Sequence, residues 1–295
     1  MKINDIFLAT LVAVIWGVNF TVIKIGLEQI PPVLFSAFRF AVVAIPAVFF
    51  IPFPKTSFWN VLGVGIILGV IKFSLLFIAM DIGVSAGLAS LLLQAQVLFT
   101  IILSFILFRE TLTSNQIIGL IIAFLGFSFF FFNQGSNVTL LGLILMILAA
   151  FSWALANTII KKMGDVNLLH FMVWVSLIPP IPLAALSYFM ETDTPITLLM
   201  STTMSTWLAI LYVGFISTLL AFSIWAKLIK SYTSATVTPF ALLIPVAGML
   251  TSSIVLGEQL DLLEMLGAFL VMLGLIFCVL GQRILRLLKS VKQQQ

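Results

Sequence analysis

The sequence predicts an all-α polytopic membrane protein, with ten transmembrane helices arranged as two inverted five-helix repeats. Three observations carry that prediction: the composition, the segmentation of the apolar stretches, and a similarity between the two halves of the chain. Hydrophobic residues make up 62% of the chain and charged residues only 8%, where a soluble domain carries about 25% charged. More than half of a globular surface must face water, so a soluble fold of 295 residues could not hide this much apolar surface. No charged side chain occurs between Glu110 and Lys161. About twenty apolar residues cross a bilayer core as a helix. That stretch alone therefore holds two crossings, separated by the polar run Asn133-Gln134-Gly135-Ser136-Asn137.

The elements follow from turn signals between apolar runs. The first, 5–25, starts almost at Met1. Its apolar stretch from Ile6 to Ile23 is too long, and runs too directly into further membrane, to be a cleavable signal. The second, 32–52, lies between Pro31-Pro32 and Pro52-Phe53-Pro54. The third and fourth are 59–80 and 85–107, and the Arg109-Glu110 pair closes the fourth. The fifth and sixth, 115–133 and 138–160, flank the asparagine run. Gly164-Asp165 precedes the seventh, 168–190. The longest polar connection, from about Glu191 to Thr206, leads to the eighth, 206–228. The ninth, 234–256, ends at Gly257-Glu258, and the tenth is 262–282.

Alternating these crossings from a cytoplasmic N-terminus puts Lys2, Lys55, Arg109, Lys161, Lys162, Lys227, Lys230 and the tail residues Arg283, Arg286, Lys289 and Lys292 inside. Lys24, Glu28, Asp81, Glu191 and Asp193 fall outside. That is the positive-inside asymmetry, and it predicts an even number of crossings with both termini cytoplasmic. It also explains the net charge of +4 without nucleic acid. The basic tail anchors topology, with an anionic-lipid site as the lesser alternative.

The halves align. At a shift of 137 positions Trp16, Thr21, Ile23 and Lys24 fall on Trp153, Thr158, Ile160 and Lys161. At a shift of 148, Ser104, Glu110, Leu112, Gly119 and Gly126 fall on Ser252, Glu258, Leu260, Gly267 and Gly274. The expected division is a first repeat at 1–134, a second at 135–283 and a basic cytoplasmic tail at 284–295. Five is odd, so the second repeat enters the membrane from the opposite side. Inverted repeats of this kind are a recurring transporter design, because exchanging the conformations of the halves exchanges the open face.

Polar groups within apolar helices are costly, so each needs a reason. Lys72 lies mid-segment and is read as the ligand of a solute carboxylate, or as one half of a structural pair. Arg39 either shares that role or snorkels to the outer surface. In a regular helix Gln94 and Gln96 point to opposite faces, so one faces the cavity and the other a neighbouring helix, with Gln96 favoured for the cavity. Trp16 with Asn19, and Trp153 with Asn157, form matching pairs that approach the centre from both repeats. Pro239 and Pro245 mark a helix break or gate in the ninth segment. Pro179-Pro180 and Pro182 kink the seventh. Gly65-x-x-x-Gly69 and the Gly119/Gly126 and Gly267/Gly274 pairs are read as close helix packing. Glu110 and Glu258 precede the fifth and tenth helices and suit their positive ends. The phenylalanines are read mostly as lipid-facing bulk. The lone Cys278 and lone His170 offer no material for a metal site or a Ser-His-Asp triad, so no metal, no cofactor and no enzymatic activity are expected.

Several motifs are familiar together. They are Trp16-Gly17-Val18-Asn19-Phe20, Gly87-Leu88-Ala89-Ser90-Leu91 leading to Gln94-Ala95-Gln96, Arg109-Glu110-Thr111-Leu112, Trp153, Pro245, and Gly257-Glu258-Gln259-Leu260. On these residues, over nearly its whole length, the chain resembles the EamA family of the drug/metabolite transporter superfamily. The glutamine stretch with its flanks resembles the branch of bacterial O-acetylserine/cysteine exporters. The sequence departs from the pattern with Val97 where Pro245 stands in the other half, and with Phe108-Arg109 where Leu256-Gly257 stands. The resemblance implies an inner-membrane exporter of amino acids or their derivatives, working as monomer or homodimer among membrane lipids. Lys72 and Arg39 agree with a carboxylate-bearing or zwitterionic small-molecule solute. A membrane-embedded enzyme and a non-transporting sensor or assembly subunit are the alternatives.

Overall fold

The computed structural model describes residues 1–132, 137–164, 166–232 and 234–292, with the side chains of 234–235 and 282–292 left out. The described chain is helical without a strand. In order, the long helices are α1 (Ile3–Leu27), α2 (Pro32–Ala47), α3 (Phe58–Asp81), α4 (Ala86–Phe108), α5 (Ser114–Phe132), α6 (Leu140–Lys162), α7 (Leu168–Met190), α8 (Met204–Ser231), α9 (Thr238–Leu256) and α10 (Leu262–Lys292), with short helical turns at Pro195–Ser201 and Ser234–Val237. Among the described residues nine of them are long and apolar enough to span a membrane, α2 being the shorter exception. The sequence suggested 32–52 for α2. Pro46 in its last turn removes a donor, and Pro52 and Pro54 bar continuation, so it closes at Ala47 into a turn. α10 runs past the expected end of its span, as a helix to Lys292.

Two of the predicted helix starts are capped differently from expectation. At α5, the Thr113 hydroxyl and the Gln116 side chain bond each other's backbone N–H. At α10, Asp261 and Glu264 do the same at 2.8 and 2.9 Å. Both are capping boxes, and they leave Glu110 and Glu258 for other partners.

Packing follows the repeat. α1 packs on α9 as α6 packs on α4, α1 meets α8 as α6 meets α3, and α5 pairs with α10. Each relation is its partner with the halves exchanged, as a pseudo-twofold axis in the membrane plane requires. The glycines permit the approach: a Cβ on Gly119 would stand 2.6 Å from the Gly274 carbonyl oxygen, and one on Gly65 or Gly69 would strike Ile178 or Pro179. The prolines of α7 divide it into Leu168–Ser176 and Pro180–Met190 at that contact.

The core contains Phe35, Phe77, Phe130 and Phe171, all fully buried, so the reading of phenylalanine as mainly lipid-facing holds only in part. The outer surface remains apolar, with Phe49, Phe50, Phe132 and Ile254 at least 80% exposed. A surface of that kind belongs in lipid, and the protein is a multi-pass membrane protein. We call the face bearing Met1 the near face and the opposite one the far face.

Candidate functional site

Four local irregularities shape the middle of the bundle. α3 and α8 each contain a π-helical stretch, Gly65–Lys72 and Tyr212–Leu220. α4 breaks after Leu92 and restarts at Ala95. α9 opens with a 3-10 turn, Thr238–Leu242, before its regular part Leu243–Leu256. The breaks fall at matching positions of the two halves, since Gln94 aligns with Leu242 at the shift of 148. π segments and broken helices inside membrane bundles accompany sites lined by polar groups.

Around them lies a cavity of about 370 Å³. All eight predicted binding residues line it: Trp16, Asn19, Arg39, Lys72, Gln94, Gln96, Trp153 and Asn157. Pro239 and Pro245 do not line it; their neighbours Thr238, Ala241 and Ile244 do.

Arg39 is 4% exposed and points into the cavity rather than snorkelling to the surface. Its Nη2 donates to Thr218 Oγ1 at 3.2 Å, while Nε and Nη1 have no hydrogen-bond partner among the described residues. The guanidinium lies 4.0 Å from the centroid of the Phe73 ring. Lys72, 3% exposed, sits against the same ring, with Nζ 3.4 Å from its centroid and 4.6 Å from that of Trp153. Aromatic faces stabilise a desolvated cation, by about 2 kcal/mol or more, without neutralising its charge as a counter-ion would. No Asp or Glu lines the cavity among the described residues.

The amides do not divide as a regular helix would divide them. Backbone bonds from Gln94 to Leu91, Gln96 to Leu93 and Val97 to Gln94 run i to i−3 through the α4 break. That tightening rotates the chain, and both glutamines reach the cavity. The regular-helix expectation of one cavity amide and one packing amide thus differs from the structure in one respect: Gln94, which bonds a neighbouring helix, lines the cavity as well. Gln96 Oε1 accepts from Asn157 Nδ2 at 3.0 Å, which joins the two repeats. Gln94 Nε2 donates to the Ala241 carbonyl at 3.4 Å. The α-helical donor for that carbonyl would be the N–H of residue 245, which Pro245 lacks. The proline break thus exposes an acceptor, and an amide of the opposite repeat meets it.

Trp16 Nε1 donates to the Ser217 carbonyl at 2.9 Å, and its ring packs against Phe222 and Trp225 at 5.2 and 5.1 Å. Asn19, one turn on, has a buried Oδ1 with no hydrogen-bond partner among the described residues. Ser217 and Thr218 were not singled out from sequence. Their role follows from the π stretch, where Thr218 Oγ1 donates to the Val213 carbonyl five residues back and accepts from Arg39.

A duplicated helical bundle around a small cavity, lined by two cations of the first half and by amides of both halves, is the architecture of a membrane transporter. The chain belongs to the EamA-like transporter family, whose model matches residues 4–132 and again 140–280. Among curated relatives, the chain is similar to a "Probable amino-acid metabolite efflux pump" of Salmonella typhimurium strain LT2, 39% identical over 293 residues, covering 97% of this chain and 98% of the relative. It is as similar to a protein of the same name from Escherichia coli strain K12, 39% identical, with 99% of each chain covered. An uncharacterized transporter of Archaeoglobus fulgidus is 26% identical over 90% of this chain and 94% of its own. A solved crystal structure shares the fold with a TM-score of 0.63 at 16% identity, covering 94% of this chain and 97% of that one.

Proposed function

We propose that this protein exports small amino-acid-type solutes, of the cysteine or O-acetylserine kind, across the bacterial inner membrane by alternating access. The observation that carries the reading is the charge of the cavity: Arg39 and Lys72 are both buried in it, with no carboxylate beside them among the described residues. The solute supplies the counter-ion. Its carboxylate lies between the two cations, where the free Nε and Nη1 of Arg39 donate to it. Its amine donates to Asn19 Oδ1, the acceptor without a partner. Gln94 and Gln96 complete the polar wall, and Trp16 and Trp153 the apolar one. The names of the relatives at 39% identity support the same class and the outward direction. The charge asymmetry of the loops supports a cytoplasmic near face with both termini on it.

The test is flux in proteoliposomes with a panel of labelled amino acids, including cysteine and O-acetylserine, against their carboxamide analogues and against organic cations. Amino acids should cross and the carboxamides should not. Movement of the carboxamides at equal rates would remove the carboxylate reading. Labelling of a cysteine at Gln295 from outside intact cells would overturn the topology.

A further inference from the structure

The two faces of the bundle are held in different ways. On the far face, Glu258 Oε1 and Oε2 accept from the backbone N–H groups of Ala86 and Gly87, at 2.7 and 2.9 Å, across the repeat boundary. Lys24 Nζ donates to the carbonyl of Met80, in the last turn of α3. An anion thus sits on the positive end of α4 and a cation on the negative end of α3, the placement that helix dipoles favour. On the near face stand the repeat mates of these residues, Glu110 and Lys161. Glu110 Oε1 and Lys161 Nζ pair with each other at 2.7 Å, in a bridge roughly half exposed. The backbone around the two glutamates is the same: each follows a left-handed residue that ends its helix, Arg109 at φ 54° and Gly257 at φ 67°. One device therefore occurs twice, in two settings.

The packing differs in the same sense. The Ala86–Leu92 part of α4 lies against the Leu243–Leu256 part of α9, with Gly87 fitted to Ser252. The matching parts at the near face, Ala95–Phe108 and the stretch 234–240, make no comparable contact. The cavity extends to the near face, where Leu168 of α7 and Thr238 of α9 line it.

We propose that these four residues are gating residues that exchange partners as the open face changes. When a face is closed, its glutamate caps the helix opposite and its lysine binds a helix-end carbonyl. When that face is open, the two pair with each other. In the far-open state Glu110 moves onto the turn Ser234–Val237 that opens α9, the repeat mate of the start of α4. Lys161 moves onto a carbonyl in the last turn of α8, and Glu258 pairs with Lys24. Each face keeps its charges compensated in both states, so neither state exposes an unpaired ion to the membrane. The inference rests on the alternating-access reading above.

The experiment compares Glu258→Gln with Glu110→Gln, each in a Cys278→Ser background carrying one reporter. Ser252→Cys reports the far face, since Ser252 is 2% exposed within the closed α4–α9 contact. Thr238→Cys reports the near face. An impermeant maleimide is applied from each side, using vesicles of both orientations and no solute. Glu258→Gln should raise Ser252→Cys labelling about tenfold, the effect of losing a charge-assisted capping bond, and lower Thr238→Cys labelling. Glu110→Gln should do the reverse and lower Ser252→Cys labelling below the parent. If both variants move the reporters in the same direction, or Glu258→Gln leaves Ser252→Cys unlabelled, the inference is overturned. A rise of both labels together in Glu258→Gln reports unfolding of a plain structural cap and overturns it as well. Because no solute is present, a chain that switches faces but moves no amino acid keeps this inference and sinks the substrate reading.

Discussion

α4 and α9 are the same crossing in the two repeats, and they break for opposite reasons. α9 breaks because Pro239 and Pro245 withhold donors, and the mates of Gln94 and Gln96 in it, Leu242 and Ile244, are aliphatic. α4 has no proline in its interior, yet it breaks at the matching point and fills the equivalent positions with Gln94 and Gln96. The contact between them is asymmetric too, an amide of α4 serving a carbonyl of α9. Arg39 and Lys72 likewise both belong to the first repeat. The duplication preserves where the backbone bends, while the polar chemistry has collected in one half. The second half offers backbone carbonyls, aromatic walls and the side chains of Asn157 and Thr218 in return.

That contrast can be broken by mutation, the largest effect first. Lys72→Leu should abolish flux while the protein inserts and keeps its melting temperature or gains on it, because it removes a buried cation without stranding a partner. Undiminished flux in proteoliposomes would show that the first repeat's charge is not what the solute reads. Gln94→Leu and Gln96→Leu should each weaken solute binding by about 1–3 kcal/mol, roughly tenfold to a hundredfold, because both line the cavity. Calorimetric titration on the two variants checks this, and a loss confined to one of them would restore the regular-helix picture of α4. The smallest effect is the most diagnostic of the shared break. Pro245→Ala returns an N–H to the Ala241 carbonyl, so Gln94 becomes dispensable there. In a double-mutant cycle on thermal stability, Gln94→Leu and Pro245→Ala should couple by about 0.5 kcal/mol or more. Strict additivity would mean that the 3.4 Å contact contributes nothing.

Much of this was legible in the chain. Arg39, Lys72, Asn19 and Asn157 stood out because a polar group in an apolar helix has few places to go, and a cavity is the main one. The repeat was readable because the tryptophans and glycines that shape it cannot be exchanged cheaply for other residues. What stayed hidden was set by backbone register. The π stretches at Gly65–Lys72 and Tyr212–Leu220 contain no residue that announces them, so the pairing of Thr218 with Arg39 had no signal. The α4 break contains no proline, so the sequence reads as a regular helix that sets the two glutamines on opposite faces. By sequence alone Glu258 belongs to its own following helix. Only the tertiary fold brings the start of α4 within its reach, while Asp261 and Glu264 take over α10.

The seam between α5 and α10 has a consequence for how such a chain can arise. Gly119 meets Gly274, and Gly126 meets Gly267. At the shift of 148 the mates of Gly119 and Gly126 are Gly267 and Gly274. Each glycine therefore touches the mate of the other, which is the isologous pattern of two identical subunits about a twofold axis. A separate five-helix polypeptide bearing both glycines would already possess the whole seam and could dimerise with an oppositely inserted copy of itself. Fusion of two such genes would then need a connecting loop and no new interface, leaving each half free to accumulate its own chemistry.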